Sequence, residues 1–479
     1  MTARSQATAV GWLDAGAAQR LERRLESALR EARRRGRATL VSVSCRLPGT
    51  GVDPSAVVAA SRRPGDRWFC LEQPDRDRSA LAALGEVLAL EDSGPGRFAS
   101  LAARWRRVAG AALADEPDGP SGGGLVAVGG FAFDPAGGAS RTWSGFAPAS
   151  LVVPELSLAR RGDLTRLTVN VLVTADDTAE DAGGRIARRL RELREVPLPL
   201  LDPAPVGDFE VSSPLAPAHY EEAVARAVAR IRNGEFQKVV LAREVEVHAP
   251  SAHDPAAVIG LLREAFPSSF VYAVGRGEAT FTGATPELLV RREGQRATTV
   301  ALAGSTRRSA DPAVDDHLGE QLLRSDKDRE ENAIVARRIA RALRPHSVWV
   351  TVAPEPVVVK VANIQHLAAP IRAQLTAPVD AVTLAGHLHP TPAVGAEPAA
   401  ALSVIPALEG FDRGWYAGPV GWTDASGDGE FCVALRCALL RGRVGRCYAG
   451  CGIVRDSDPS AELAETEVKL QVMLPALAG

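Results

Sequence analysis

Apolar positions along the 479-residue chain fall into two recurring patterns. Short runs rich in valine, leucine, alanine and phenylalanine predict strands. They include ATLVSVSCRL from Ala38, GGLVAVGGFAFDP near Gly124, RLTVNVLV from Arg166, and GEFQKVVLAR from Gly234. Further along come SFVYAVG, ATFTGATPELLVRR, ATTVALAG, SVWVTV and EFCVALRCALL. Between them lie stretches with apolar residues three and four apart, which predict helices. AHYEEAVARAVARIRNGE aligns Val224, Ala227, Val228 and Ile231 on one face, and Asn233-Gly234 supplies a C-terminal stop. Long helices are expected over Asp326–Leu343 and Pro459–Leu474, and a charged Arg/Glu helix over Arg185–Arg194. Strands alternating with helices imply an α/β or α+β fold, with large sheets backed by helices.

The proline-rich segment Val196–Pro217, VPLPLLDPAPVGDFEVSSPLAP, cannot lie inside a helix or a central strand and reads as a connection. It divides an N-terminal lobe, 1–199, from a C-terminal region, 200–479. The first lobe shows no catalytic motif, and neither half shows an internal repeat. Net charge is −2 with no long block of one sign, which argues against nucleic-acid or membrane binding. The N-terminal stretch is an amphipathic Arg/Glu pattern without an apolar signal core, and no apolar run reaches membrane-spanning length. A cytoplasmic protein is expected. The six cysteines do not follow zinc spacing and read as buried thiols in a reducing compartment.

Candidate chemistry starts from a bias in the cations. Of 56 basic residues, only Lys238, Lys327, Lys360 and Lys469 are lysines. Lys238 stands in the middle of the apolar run EFQKVVLAR. Burial pushes a lysine toward its neutral form, which arginine does not reach. On the Asp326–Leu343 helix, Glu331 continues the line of Val335, Ile339 and Leu343, with Asp328 one turn earlier on the same side. That places a carboxylate either at the wet end of an apolar stripe or at a site. On the last helix, Glu462, Glu465, Thr466 and Lys469 share one broad face. Glu465 and Lys469 suit a surface ion pair, while carboxylates from two helices suit a hard cation such as magnesium. Glu287, in GATPELLV, is either a buried carboxyl with a raised pKa or a surface residue of an edge strand. Arg436 is a charge inside a strand-like run, suited to gripping a carboxylate. Gly304-Ser305 and the glycines of YAGCGIV can bring backbone N–H groups to an anion.

The ordered series EFQKVVLAR, GATPELLV, ALAGSTRR, SDKDREEN, NIQHLAAPI, HPTPAVG, GPVGWTDASGDGEFCVALRCA and YAGCGIVRDSDPSAELAETEVKL resembles the chorismate-utilising enzymes. It spans Phe236 to Leu470. The first lobe is similar, through GGFAFDP and LTVNVLV, to the N-terminal part of menaquinone-type isochorismate synthases. The resemblance implies an anthranilate synthase component I-like fold, with large antiparallel-rich sheets packed in layers and flanking helices.

In that family, members that use water as nucleophile have a lysine where this chain has Lys238. The resemblance therefore implies an isochorismate synthase, converting chorismate to isochorismate reversibly with Mg2+, for menaquinone biosynthesis. It implies Lys238 as the base that activates water and Glu287 as the acid that protonates the departing hydroxyl. Glu331 and Glu465 would bind magnesium, with Asp328 and Glu462 supporting them directly or through water. Arg436, Lys469, Gly304, Ser305 and the backbone at Gly452 would hold the substrate carboxylates. His366 would lie near the ring, or be a packed structural histidine. A monomer without an obligatory protein partner is expected. Asn332, Leu288 and Cys451 depart from the family pattern, where histidine, arginine and alanine are common. None of them is a proposed base, acid or ligand. The alternatives are a salicylate synthase, which goes on to eliminate pyruvate; an isochorismate synthase of a siderophore pathway; an ammonia-using relative, disfavoured by Lys238; and a silent chorismate binder, disfavoured because every candidate position holds a suitable side chain.

Overall fold

Apolar segments from both halves of the chain pair into two antiparallel sheets in the structure, a computed structural model that describes residues 11–48, 51–202, 205–361 and 364–478. The first ten residues of the N-terminal stretch, Pro203 and Ala204 of the proline-rich connection, and Asn363 of NIQHLAAPI lie outside the described residues. Among those described, one sheet has twelve strands and the other ten. Neither sheet belongs to one half. Trp68–Gln73 pairs with Phe270–Arg276, with Cys70 opposite Ala273. Val126–Phe131 pairs with Pro419–Asp424, with Gly129 opposite Gly421. Residue 199 thus lies on a connection along the chain, while strands from both sides of it share both sheets.

Lys238–His248 lies near one end of the larger sheet, beside Val444–Ile453, with Val240 opposite Gly452. Along its other edge it pairs with the short strands Ala396–Glu397 and Glu210–Ser212. The strand Arg296–Arg307 of the smaller sheet pairs with Ile364–Leu375, and their register shifts between Leu302 and Ser305. The bulge turns on Gly304, whose φ of +80° is left-handed backbone that glycine adopts without strain. Helix Asp326–Leu343 lies over these two strands and buries Val335, Ile339 and Leu343, as its stripe predicts. Burial of each such side chain contributes about 1.5–3 kcal/mol. Ser325 caps the helix by accepting from the Asp328 N–H.

Two predicted strands are each divided. ATFTGATPELLVRR runs as Ala279–Thr285 in the larger sheet and Leu288–Glu293 in the smaller one. EFCVALRCALL runs as Gly429–Val433 in the smaller sheet and Cys437–Arg441 in the larger one. The breaks fall at Pro286-Glu287 and at Ala434–Arg436. Proline lacks the N–H that a ladder needs, and Arg436 has a left-handed φ of +50°. Arg436 is therefore not inside a strand. The final helix also ends earlier than its pattern predicts, at Leu470, with a second short helix over Leu474–Ala478. All six cysteines are free and buried. No helix among the described residues is long and apolar enough to cross a membrane.

Candidate active site

The two chain crossovers lie side by side. The Val433 N–H donates to the Glu287 carbonyl at 2.9 Å, and the Ala284 N–H donates to the Arg436 carbonyl at 3.1 Å. This seam opens into a cavity of about 210 Å³. Glu287, Gly304, Ser305, Asp328, Glu331 and His366 line it, together with Arg436, Gly452, Glu462, Glu465 and Lys469. Every site residue expected from the sequence lines this cavity except Lys238. The Lys238 side chain is fully buried behind the wall, and its Nζ donates to Glu331 Oε1 at 2.8 Å.

Gly452 explains how that pair fits. A Cβ on Gly452 would sit 2.5 Å from Glu331 Oε1 and 2.8 Å from Lys238 Cε, so only glycine leaves room for both side chains. Gly304 is close-packed too, though less tightly, because a Cβ there would lie 3.0 Å from Asp328 Cβ. Ser305, just past the bulge, donates its hydroxyl to Glu465 Oε1 at 2.7 Å. Buried Asn332 holds the bulge in place: its amide donates to Ala301, Ala303 and Leu367 carbonyls at 3.1, 3.3 and 2.9 Å.

Glu287 is buried, which removes the reading of a surface residue on an edge strand. Burial pushes its carboxyl up to about 7, against the pull of Arg436, Lys238 and Lys469. A carboxyl in that range keeps its proton in about half of the molecules at neutral pH and can give it up. Burial, with help from Arg436 and Lys469, brings His366 down to about 3. Its neutral ring stands 3.4 Å from Arg436 Nη2, in position to accept. Burial also lowers the Arg436 guanidinium.

Glu465 and Lys469 do form the expected i,i+4 ion pair, at 2.8 Å, but inside the cavity. Burial opposes the Glu465 charge, yet the Lys469 ammonium and the Ser305 hydroxyl bring the carboxyl down to about 2. Lys469 also donates to the Gly450 carbonyl at 2.8 Å. Burial first, and neighbouring carboxylates next, push Asp328 and Glu462 upward. Cys451, Glu462 and Glu465 bring a thiol and two carboxylates within 4.8 Å of one another. Asp328 and Glu331 add carboxylates from the opposite helix. This crowd of oxygen donors, two of whose carboxyls are pushed upward by burial and by their neighbours, fits a hard divalent cation such as magnesium.

Lys327, Ala393, Val394, Tyr416 and Leu435 also line the cavity and were not among the expected site residues. For Lys327 a signal existed, the scarcity of lysine. The others are ordinary apolar or aromatic positions whose place depends on distant parts of the chain. Behind the wall, buried Arg413 pairs with Glu409 and donates to the Val240 and Val394 carbonyls at 2.9 and 2.8 Å. Glu409 in turn accepts from the Ala242 N–H at 2.7 Å. This pair ties the Lys238 strand to the loop that carries Ala393 and Val394.

The chain is 37% identical over 455 residues to the salicylate biosynthesis isochorismate synthase of Pseudomonas aeruginosa, covering 95% of this chain and 93% of that protein. It is 32% identical over 468 residues to the isochorismate synthase MenF of Bacillus subtilis, covering 94% and 96%. The solved structure of MenF, the menaquinone-specific isochorismate synthase from Escherichia coli, superposes with a TM-score of 0.74 at 26% identity, over 96% of this chain and all of that one. Anthranilate synthase component I from Streptococcus pneumoniae shares the fold, with a TM-score of 0.59 at 22% identity over 72% of this chain and 80% of that one. Residues 27–478 match the chorismate binding enzyme family. With that match over nearly its whole length, the chain belongs to the chorismate-binding enzymes.

Proposed function

We propose that this enzyme is an isochorismate synthase, an isomerase that moves a hydroxyl between two ring carbons of chorismate. The observation that carries the reading is the placement of an acid candidate and a base candidate at one carboxylate-lined cavity. Glu287, whose carboxyl keeps a proton up to about pH 7, lines it at the crossover. Lys238 stands behind the wall at Gly452.

In the reaction, Lys238 takes a proton from water as the water oxygen bonds to one ring carbon. The ring double bond shifts, the carbon–oxygen bond at the other carbon breaks, and Glu287 protonates the departing hydroxyl to give water. One water enters and one leaves, so substrate and product are isomers and the reaction reverses by the same path. For Lys238 to act, Nζ must turn from Glu331 toward the cavity, and the missing Cβ of Gly452 leaves the space for it. Arg436, Lys469 and Ser305, with backbone at Gly304 and Gly452, hold the substrate carboxylates, and neutral His366 packs near the ring. Glu331 and Glu465 are the proposed magnesium ligands, supported by Asp328 and Glu462. Magnesium would neutralise the ring carboxylate.

We place the product in menaquinone biosynthesis. The full-length relative named for salicylate biosynthesis favours a second reading, in which isochorismate feeds salicylate. The test is incubation of the purified protein with chorismate, with magnesium and then with EDTA, and chromatographic separation of products. Isochorismate in equilibrium with chorismate, formed only with magnesium, is expected. Salicylate with pyruvate would move the assignment to the lyase branch, and no conversion would overturn it.

A further inference from the structure

Three of the four lysines in the chain gather at this cavity. Lys238 pairs with Glu331 and Lys469 with Glu465, each at 2.8 Å. Lys327 lies 3.6 Å from Glu462. The fourth, Lys360, pairs with Asp315 and Asp316 elsewhere. The reaction above uses Lys238 and Lys469 and leaves Lys327 without a role. Its position is otherwise unfavourable. Lys327 is the second residue of helix Asp326–Leu343, where free N–H groups and the helix dipole disfavour a cation. Its side chain is 47% exposed, so packing does not hold it there. What faces it is negative charge: Glu462 first, then Asp328, Glu331 and Glu465.

We propose that Lys327 is an internal cation that competes with a divalent metal ion for the carboxylates of this cavity and so sets the affinity for that ion. The inference rests on the reading that these carboxylates hold magnesium. A fixed positive charge among the ligands opposes a doubly charged ion by direct repulsion, and it occupies Glu462. A lysine suits this place better than an arginine. Its compact ammonium sits on a flexible four-carbon stem and can swing into solvent when the metal enters, whereas a planar guanidinium would grip a carboxylate with two parallel bonds. Lys327 thereby keeps the carboxylates together before loading and keeps the loaded ion exchangeable.

The experiment is a titration of the purified full chain with Mn2+, used as a spectroscopic substitute for magnesium, with free Mn2+ followed by electron paramagnetic resonance in the absence of substrate. Lys327→Met removes the charge and keeps the length. It is expected to bind Mn2+ about tenfold more tightly than wild type. Lys327→Arg keeps the charge and is expected to bind no more tightly than wild type. Wild-type binding with an unchanged or weakened affinity in Lys327→Met would overturn the role of Lys327 alone. No Mn2+ binding by the wild type would overturn the metal reading itself, and this inference with it.

Discussion

Gly452→Ala tests the site through a single methyl group. Gly452 lies in the strand Val444–Ile453, and its φ is not among the left-handed values, so alanine meets no backbone strain there. The added Cβ would stand 2.5 Å from Glu331 Oε1 and 2.8 Å from Lys238 Cε. An ordinary carbon–oxygen contact is about 3.3 Å, so the carboxylate oxygen must retreat by about 0.8 Å. The lysine stem must retreat by a similar amount, and because both neighbours are side-chain ends rather than backbone, the strain is relieved at their contact with each other. The 2.8 Å charge-assisted bond between them is then lengthened or lost. Such bonds contribute about 1.5–3 kcal/mol, which is the expected loss of stability. Misplacing a reacting group by about 1 Å costs about 100-fold in rate, which is the expected fall in kcat. Thermal unfolding reads the first quantity and chromatographic measurement of isochorismate the second. Turnover and unfolding both indistinguishable from wild type would refute the claim that the Lys238–Glu331 pair depends on the missing side chain.

Glu287→Gln should lower the forward rate by about 10²–10⁴-fold, and the wild-type rate should fall on the alkaline side with a midpoint near about 7. Between the ordinary carboxyl value of 4.5 and about 7 the folded protein keeps a proton that the unfolded chain has lost. Wild type should therefore lose stability relative to Glu287→Gln as pH rises through that window, as unfolding measured across pH would show. Glu465→Gln, read by magnesium titration of the rate, should raise the magnesium requirement, and an unchanged curve would remove the metal assignment. Arg413→Ala leaves Glu409 buried without its partner and should cost about 3–5 kcal/mol in thermal or denaturant unfolding. Asn332→Leu keeps the volume and strips three carbonyls of their donor, so a loss of about 1–3 kcal/mol is expected, again by unfolding.

Local patterns revealed those parts of the site that obey local rules. The Asp326–Leu343 helix, its buried stripe and the acids at its start follow from spacing within a few turns. Lys238 stands out because a strand pattern surrounds it. Glu287 and Arg436 were visible as charges among apolar residues, but their setting was not. Each run looked like one continuous strand, because apolar residues on both sides of a crossover are buried alike and periodicity does not register a change of sheet. Pro286 gave a hint at one crossover, whereas the left-handed Arg436 left no mark at the other. Ala393, Val394 and Tyr416 reach the cavity only through packing between segments far apart in the chain, which no local pattern encodes.

The position of the Lys238 strand has a consequence for how the protein is made. That strand joins its sheet mainly through Val444–Ile453, which emerges from the ribosome some two hundred residues later. Until then EFQKVVLAR is an apolar segment with one long edge unpaired; Val126–Phe131 of the first half waits as well for Pro419–Asp424, and Ala279–Thr285 for Cys437–Arg441. Synthesis therefore passes through a long interval in which both sheets are incomplete and open to wrong pairing. A chain truncated before Val444 would leave the Lys238 strand without its long partner, an exposed edge of the kind that invites wrong pairing.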